Sequence, residues 1–507
     1  VKAVNSAGMT ISDQVARFAR TTPDGIAYRD GPLTLTWQQT DARIERLAAA
    51  LAVTVLPGDR VAVMAGNSVP HIEAMIAIVR TGAICVPVNF RMVADEVEYV
   101  LSDAGATAVL VDDPYAPVVA AARTSDVRAV LTLGTGYDAQ LTAAPEPQAW
   151  PAAADGAPAF IMYTSGTTGR PKGAVLSHRN LLLHAYSVIV TQGSSGDDRV
   201  RLYGAPLFHI AGVSGFCSNL AVCATTVLTP SGGFDPVAML DLLERERVSS
   251  CFFVPAQWAA IVAVPGLADR DLSALRRCSW GAAPASTTLL RAMIDAFPQA
   301  DIITAFGQTE CSPVTCLLRG EDVIRKIGSI GKPIVNVEAR IVDDDMNDVP
   351  RGEVGEIVYR GPLVMSGYWN KPEETAEAFR GGWFHSGDLV REDEDGYLFV
   401  VDRVKDMIIS GGENIYCAEV ENVLAAHPKI AEVALIGVPD ARYGEAPLAA
   451  VVARDPADPP TAADVEAFCR ARLAAYKRPR DVVLLDALPR NPSGKVVKTR
   501  LRAQYGS

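Results

Sequence analysis

The chain has 507 residues, 49% hydrophobic and 21% charged, with a formal net charge of −12. That length exceeds what one core supports, so several domains are expected. The acidic balance argues against a nucleic-acid partner, because phosphate backbones select basic surfaces, but it leaves room for a small anion held by a few local cations.

Nine cysteines include no C-x-x-C pair and are odd in number. Free thiols in a reducing cytosol explain them better than disulfides or zinc. No secretory leader and no uninterrupted apolar run of about 18 residues is legible. A cytoplasmic location without a transmembrane segment is therefore expected. Peripheral membrane contact and a homodimer stay open.

In chain order, Gln38–Val53 places Ile44, Leu47 and Leu51 at helical spacing. The turn Pro57-Gly58-Asp59 leads into the apolar run Val61–Met64, an apolar-faced helix His71–Arg80 and a strand Ala83–Val88. Ala106–Val111 and Ala129–Leu133 continue the alternation. Strands alternating with helices predict buried, parallel sheets. Gly134-Thr135-Gly136, with Ala139, imitates a dinucleotide fingerprint. Such a fingerprint must open a helix, and Pro145 and Pro147 arrive within a turn or two, so it is set aside. No G-x-S-x-G elbow exists for a serine hydrolase.

The polar stretch Ala143–Pro158 reads as a surface connection. A strand Ala159–Tyr163, a Gly/Thr-rich loop and a helix from Asn180 follow. Further strands are expected at Cys251–Val254 and Asp301–Ala305. From about Gly328 the short strands Glu338–Val342 and Glu356–Tyr359 suit a small β subdomain. After Val401–Asp406 come a helix Ala418–Ala426, strands Val433–Gly437 and Leu448–Ala453, and a helix Ala462–Leu473. That is a small α+β unit, large enough to fold alone.

The loop Tyr163–Ala174 reads YTSGTTGRPKGA. Its glycines let backbone N–H groups turn toward an anion without Cβ interference. Thr164, Ser165, Thr167 and Thr168 add hydroxyl donors around Gly166, and Lys172 adds a point charge. The order is not that of a P-loop. A plain polar surface loop is the alternative.

This stretch resembles the phosphate loop of the adenylate-forming superfamily, which includes acyl-CoA synthetases, luciferases and peptide-synthetase adenylation domains. Other segments match in order. Gly281-Ala282-Ala283-Pro284 resembles the adenine-contacting turn. Phe306-Gly307-Gln308-Thr309-Glu310, with Ala305 just ahead, resembles Y-G-x-T-E with Phe for Tyr. His385-Ser386-Gly387-Asp388 resembles the T-G-D motif, Asp402–Asp406 the hinge, and Asn491-Pro492-Ser493-Gly494-Lys495 the terminal lysine loop. The resemblance runs from about Thr10 to Tyr505.

It implies an α/β fold. A large N-terminal domain (residues 1–401) has parallel sheets and a small β-barrel-like part. A hinge (402–406) around Lys405 leads to a small mobile α+β domain (407–507). It implies ATP, Mg²⁺ and coenzyme A as cosubstrates and cofactor. A carboxylate must attack the α-phosphate of ATP, and both are anionic, so a lysine able to touch both relieves their repulsion. By resemblance that lysine is Lys495. Glu310 is implied as the magnesium ligand, with Thr167 or Thr168. Asp388 would accept from the ribose hydroxyls and Arg403 would steady the same sugar.

Ile408–Glu419 resembles the segment lining a thiol tunnel, with Gly411 and Gly412 beside the pantetheine arm and Cys417 where Pro is usual. Arg442, Lys477 and Arg478 could meet coenzyme A phosphates or simply solvate the surface. His209, in PLFHIAG, is either a core histidine or a neighbour of the reacting carboxylate or thiol entrance. Phe208–Phe216, Cys251–Trp258, Ser279–Pro284 and Thr304–Pro313 should build the acyl pocket. They hold no Lys, Arg or Asp, so an uncharged tail is expected. A medium- or long-chain fatty acid is the first expectation. An aryl acid flanked by Phe253 and Trp280, or an acyl-AMP ligase loading a carrier protein, is the alternative. Trp280 either caps that pocket or belongs to the core.

Overall fold

The computed structural model of the protein describes residues 9–147, 149–164, 170–194, 199–281, 283, 285–320, 322–411, 413–440, 442–470, 472–491 and 496–506. Two units emerge: Val1–Ala339 with Tyr359–Phe384, and Arg340–Val358 with His385–Ser507.

In the first unit one sheet has the order Ala129–Thr132, Ala106–Val111, Arg60–Met64, Ile84–Pro87, Pro158–Thr164, Lys172–Ser177. The first five strands run parallel and the last is antiparallel to its neighbour. Val61, Ala62, Val63 and Met64 are all buried. A strand covered on both faces needs such an unbroken apolar run. A second sheet is parallel through Asp301–Gly307, Arg277–Gly281, Ser250–Phe252, Val200–Tyr203, Thr225–Leu228 and Ile26–Asp30. Antiparallel strands Val314–Arg319 and Leu33–Thr36 flank these six.

The helix Val69–Arg80 is buried along nearly its whole length, its polar residues His71, Glu73 and Arg80 included. Its last residue, Arg80, is buried and pairs with Asp41 at 2.7 Å and Glu45 at 2.9 Å. Without those carboxylates that charge would be costly there.

Two local expectations change. The segment after the Gly/Thr-rich loop is a strand, Lys172–Ser177, and the helix begins at His178. Ser177 caps that helix and Asn180 returns the bond from its third position, at 3.1 and 2.8 Å. The Asn that reads as a start is the far half of a capping box. Near Gly136 a seven-residue helix, Tyr137–Ala143, does open. There the Asp113 carboxylate already accepts from Thr135 N at 2.7 Å, and a Cβ on Gly134 would fall 2.4 Å from it. A phosphate would meet a like charge.

In the second unit, Phe384–Glu392 and Leu398–Arg403 pair antiparallel. Glu338–Val342 and Val354–Arg360 precede them in a run of successive sheet neighbours, the small β part of the fold. The C-terminal portion is a sheet of Glu413–Ile415, Ile408–Ser410, Gly444–Ala453 and Ile430–Asp440, with Asp481–Leu485 beside Gly444–Ala453. One core gathers Ile408, Ile415, Val420, Leu435 and Val451; another gathers Ile436, Leu448, Leu488 and Leu501. Ile436 and Leu435 are adjacent, so the pleat sends them to opposite faces.

Three buried histidines set an acid limit on stability. His184 Nε2 accepts from Val314 N at 2.9 Å, and His178 Nδ1 from Ile11 N at 3.3 Å. Burial pushes His184 down to about 3, and His178 and His71 to about 4. The unfolded chain takes up these protons near pH 6.5, the folded chain only near pH 4 for His71 and His178 and near pH 3 for His184. Their stabilisation is therefore full above pH ~6.5 and is lost as pH falls toward 4. Each contributes a slope of up to ~1.4 kcal/mol per pH unit. Glu73, raised by burial, opposes this with one proton. The melting temperature should fall between pH 7 and 5, and less steeply in His184→Gln; calorimetry showing a flat profile over that range would refute it.

Candidate functional site

Ser165, Gly166, Thr167, Thr168, Ala282, Pro284, Gly412 and Lys495 lie outside the described residues. The rest are placed as follows. Thr164 ends one strand and Lys172 begins the next, as register partners. The Gly/Thr-rich loop thus joins two antiparallel strands, unlike a P-loop, which runs from strand to helix. Lys172 Nζ lies 5.3 Å from the centre of the Tyr368 ring. The Tyr368 hydroxyl donates to Glu310 Oε1 at 3.0 Å. One aromatic residue thus joins the loop cation to the candidate metal ligand.

That residue was not read from the sequence. Tyr368 is held because residues 366–369 extend the sheet edge: Val175 N donates to Gly367 O at 3.0 Å, and Trp369 N to Gly173 O at 2.8 Å. Met365 N donates to the Glu310 carbonyl at 2.7 Å. Asn180 Nδ2 donates to Pro362 O and Val364 O, and Ser312 Oγ to Leu363 O. The only signal was an aromatic after glycine in Ser366-Gly367-Tyr368-Trp369. The side chain of Glu310 is buried, and burial raises the Tyr368 phenol, with Glu310 adding to the shift. Among the described residues no group of three or more His, Cys, Asp or Glu forms a metal cage. A single buried carboxylate suits Mg²⁺, which takes one or two protein oxygens and completes its shell with phosphate and water.

Gly281 and Ala305 face each other at the C-terminal ends of parallel strands, where open α/β sheets bind ligands. A Cβ on Gly281 would fall 2.4 Å from Ala305 O. Gly307 has φ +152°, and a Cβ there would fall 2.0 Å from Pro313 O. Only glycine fits that crossing. Thr309 and Glu310 follow in a short 3₁₀ turn, after Gln308 N donates to Pro313 O at 2.9 Å.

Strand alternation divides the expected acyl wall. Trp280 pairs with Thr304 and shares its face with Phe306, while Ser279, Gly281, Ile303 and Ala305 take the other. Trp280 therefore cannot line one pocket with Ser279 and Gly281. Among the described residues, Trp280 Nε1, Thr304 Oγ1 and Gln308 Nε2 are buried atoms without a hydrogen-bond partner. Such groups fit a ligand carrying its own donors and acceptors, as a purine does. Phe253 packs into the core against Trp258 and Phe234, with ring centroids 5.2 and 5.8 Å apart. The half-buried Phe252 instead lies 3.5 Å from where a Gly281 Cβ would be. The aromatic beside the small-residue face is one position earlier than the sequence suggested.

His209 is half-buried and caps the helix Ile210–Ala221, with Nδ1 accepting from Ala211 N at 3.2 Å. A Cβ on Gly212 would fall 2.3 Å from Pro206 O, so the turn that presents His209 requires glycine. Asn67, also unread in the sequence, accepts from Leu207 N at 2.9 Å and donates to Ala205 O at 3.1 Å.

In the second unit, Asp388 is buried and pairs with Arg403 at 2.9 Å across the strand register. The two residues expected at one sugar are thus adjacent. Lys405 is exposed in the turn that follows. Gly411 has φ +63° and donates to Tyr443 O at 2.7 Å. Arg442 and Arg480 lie 5.0 and 3.9 Å from the Tyr443 ring centre. Lys477 instead pairs with Glu419 at 2.7 Å, and Arg478 Nε donates to Leu473 O. Cys417 takes the first helical position of Cys417–Ala425, where proline also fits. Unlike proline it has an N–H, which donates to the buried Asp402 carboxylate. Its thiol donates to Asp406 O, and burial pushes it up to about 12.

The model of the AMP-binding enzyme family matches residues 15–369, and that of the AMP-binding enzyme C-terminal domain matches 419–495. The chain is 43% identical to a feruloyl-CoA synthase of Amycolatopsis sp, over 97% of this chain and 98% of the relative. It is 37% identical to the long-chain-fatty-acid–CoA ligase FadD13 of Mycobacterium tuberculosis, over 93% of each. Among solved structures it is similar to O-succinylbenzoate coenzyme A synthetase from Bacillus subtilis in complex with ATP and magnesium ion. The TM-score is 0.87 at 31% identity, covering 96% of this chain and 99% of that one.

Proposed function

The chain belongs to the AMP-binding enzyme family, and from that premise we propose that it converts a carboxylic acid with an uncharged aromatic tail, of the arylpropenoate type, into its coenzyme A thioester. The enzyme is an AMP-forming acyl-CoA ligase. The acid's carboxylate attacks the α-phosphorus of ATP and pyrophosphate leaves. The thiol of coenzyme A then attacks the acyl carbon and AMP leaves. Bound Mg²⁺ supplies charge neutralisation at the phosphates. Lys172 adds a cation beside the loop, Glu310 offers the metal a carboxylate, and Asp388 with Arg403 suits the ribose.

The observation that supports the substrate class is the strand face shared by Ser279, Gly281 and Ala305, with Phe252 beside Gly281. That face carries no charge and sets small residues beside an aromatic ring, which supports an uncharged, flat tail. Neither Lys, Arg nor Asp occurs in the four pocket segments, so a second carboxylate or an ammonium would go unpaired. The feruloyl-CoA synthase likeness supports the same class and moves the reading away from the fatty acid first expected.

The test is kcat/KM for ferulate, cinnamate, benzoate and malonate beside short to long even-chain fatty acids, with pyrophosphate detection. An arylpropenoate should lead by about tenfold or more, the ratio that ~1.4 kcal/mol of differential transition-state binding gives. A rise of roughly fourfold per methylene, ~0.8 kcal/mol each, up to a long-chain optimum would return the substrate to a fatty acid. A best substrate with a charged tail would overturn both.

A further inference from the structure

Asp103 closes the helix Ala94–Ala104, far in sequence from every motif above. Its side chain is 9% exposed. Oδ2 accepts from the Tyr163 hydroxyl at 2.8 Å, and Oδ1 pairs with Lys371 Nζ at 2.6 Å. Tyr163 stands in the strand entering the Gly/Thr-rich loop, opposite Gly173. A Cβ on Gly173 would fall 2.5 Å from Ile161 Cγ2 and 3.2 Å from Tyr163 Cζ, so the Tyr163 ring comes close to that glycine. On the exit side, Tyr99, one helical turn before Asp103, donates to Pro171 O at 2.9 Å. The Arg170 guanidinium lies 5.2 Å from the Tyr99 ring centre. Lys371 N donates to Tyr368 O at 3.2 Å, and Tyr368 is the residue that holds Glu310.

We infer that Asp103 is a positioning residue for nucleotide binding. It fixes the entering strand through Tyr163 and the Tyr368–Glu310 pair through Lys371, while its helix neighbour Tyr99 fixes the loop exit. One buried carboxylate thereby sets the spacing between the loop stems and the candidate magnesium ligand. Asp103 touches neither ATP nor the acid in this role. The inference rests on the AMP-forming reading, but not on which acid is activated.

The test is calorimetric titration of the full chain with MgATP, which needs no acid substrate. Asp103→Asn keeps the shape and removes the charge. Its affinity for MgATP should fall by roughly tenfold or more, the loss expected for a buried charge-assisted pair. Lys371→Met, at a partly exposed position, should lose a similar factor. The double variant should lose little more than either, because both break one link. Melting temperatures should stay within a few degrees of the parent. With preformed acyl-AMP supplied, thioester formation should match the parent. Unchanged MgATP affinity, additive losses, or equal damage to both half-reactions would overturn the role. Parent protein that binds no MgATP would instead overturn the AMP-forming reading, and this role with it.

Discussion

Lys495→Ala is expected to lower adenylate formation by on the order of 10²–10³, the usual cost of removing one group that meets developing charge. The motivation is chemical. A carboxylate approaching the α-phosphate is repelled by its charge, and at ~4 Å that repulsion is a few kcal/mol even at an intermediate effective dielectric. A cation bridging the two relieves it most where the new P–O bond forms. Lys495 is the lysine of the Pro492-Ser493-Gly494-Lys495 loop, and the matched C-terminal domain ends on it. Pyrophosphate release under single turnover reads the first half-reaction directly. Supplying acyl-AMP and coenzyme A bypasses it, and thioester formation should then be near that of the parent. Normal pyrophosphate release by the variant would remove Lys495 from this role. Loss of both half-reactions would point to folding instead.

Motif order made the fold class readable, because glycines that prevent collisions cannot be replaced quietly. Gly281, Gly307 and Gly212 each sit where a Cβ would strike a backbone oxygen at 2.0 to 2.4 Å. Such residues mark themselves in a sequence. Tyr368, Asp103 and Asn67 do not. Each acts through a hydrogen bond to a partner 58, 60 or 140 positions away, and nothing local distinguishes them from ordinary polar or aromatic residues. Strand parity was the other hidden variable. Phe252 and Phe253 are equivalent by composition, yet the pleat packs Phe253 into the core and sets Phe252 beside Gly281. The same alternation separates Trp280 from Ser279. The Cys417 substitution was legible as a departure, but its consequence, a new N–H on Asp402, required the tertiary contact.

Glu310→Gln should reduce kcat/KM for MgATP by roughly 10²-fold, within the range for losing one charge-stabilising group. The substitution is nearly isosteric. Its amide oxygen can still accept from Tyr368, and the backbone bond from Met365 to the Glu310 carbonyl is untouched. What disappears is the negative charge on which a hard cation depends. Raising free Mg²⁺ should therefore recover part of the loss, whereas raising the acid concentration should not. Tyr368→Phe separates the two parts of this cluster. It keeps the ring beneath Lys172 Nζ, 5.3 Å from its centre, and deletes only the hydroxyl that orients Glu310. A hydrogen bond to a charged acceptor contributes about 1.5–3 kcal/mol, so an effect of roughly tenfold to a hundredfold is expected. In the double variant the losses should fall short of the product of the single effects, since both act through one carboxylate. Parent-level kcat/KM for MgATP in Glu310→Gln at limiting Mg²⁺ would show that the metal is held elsewhere.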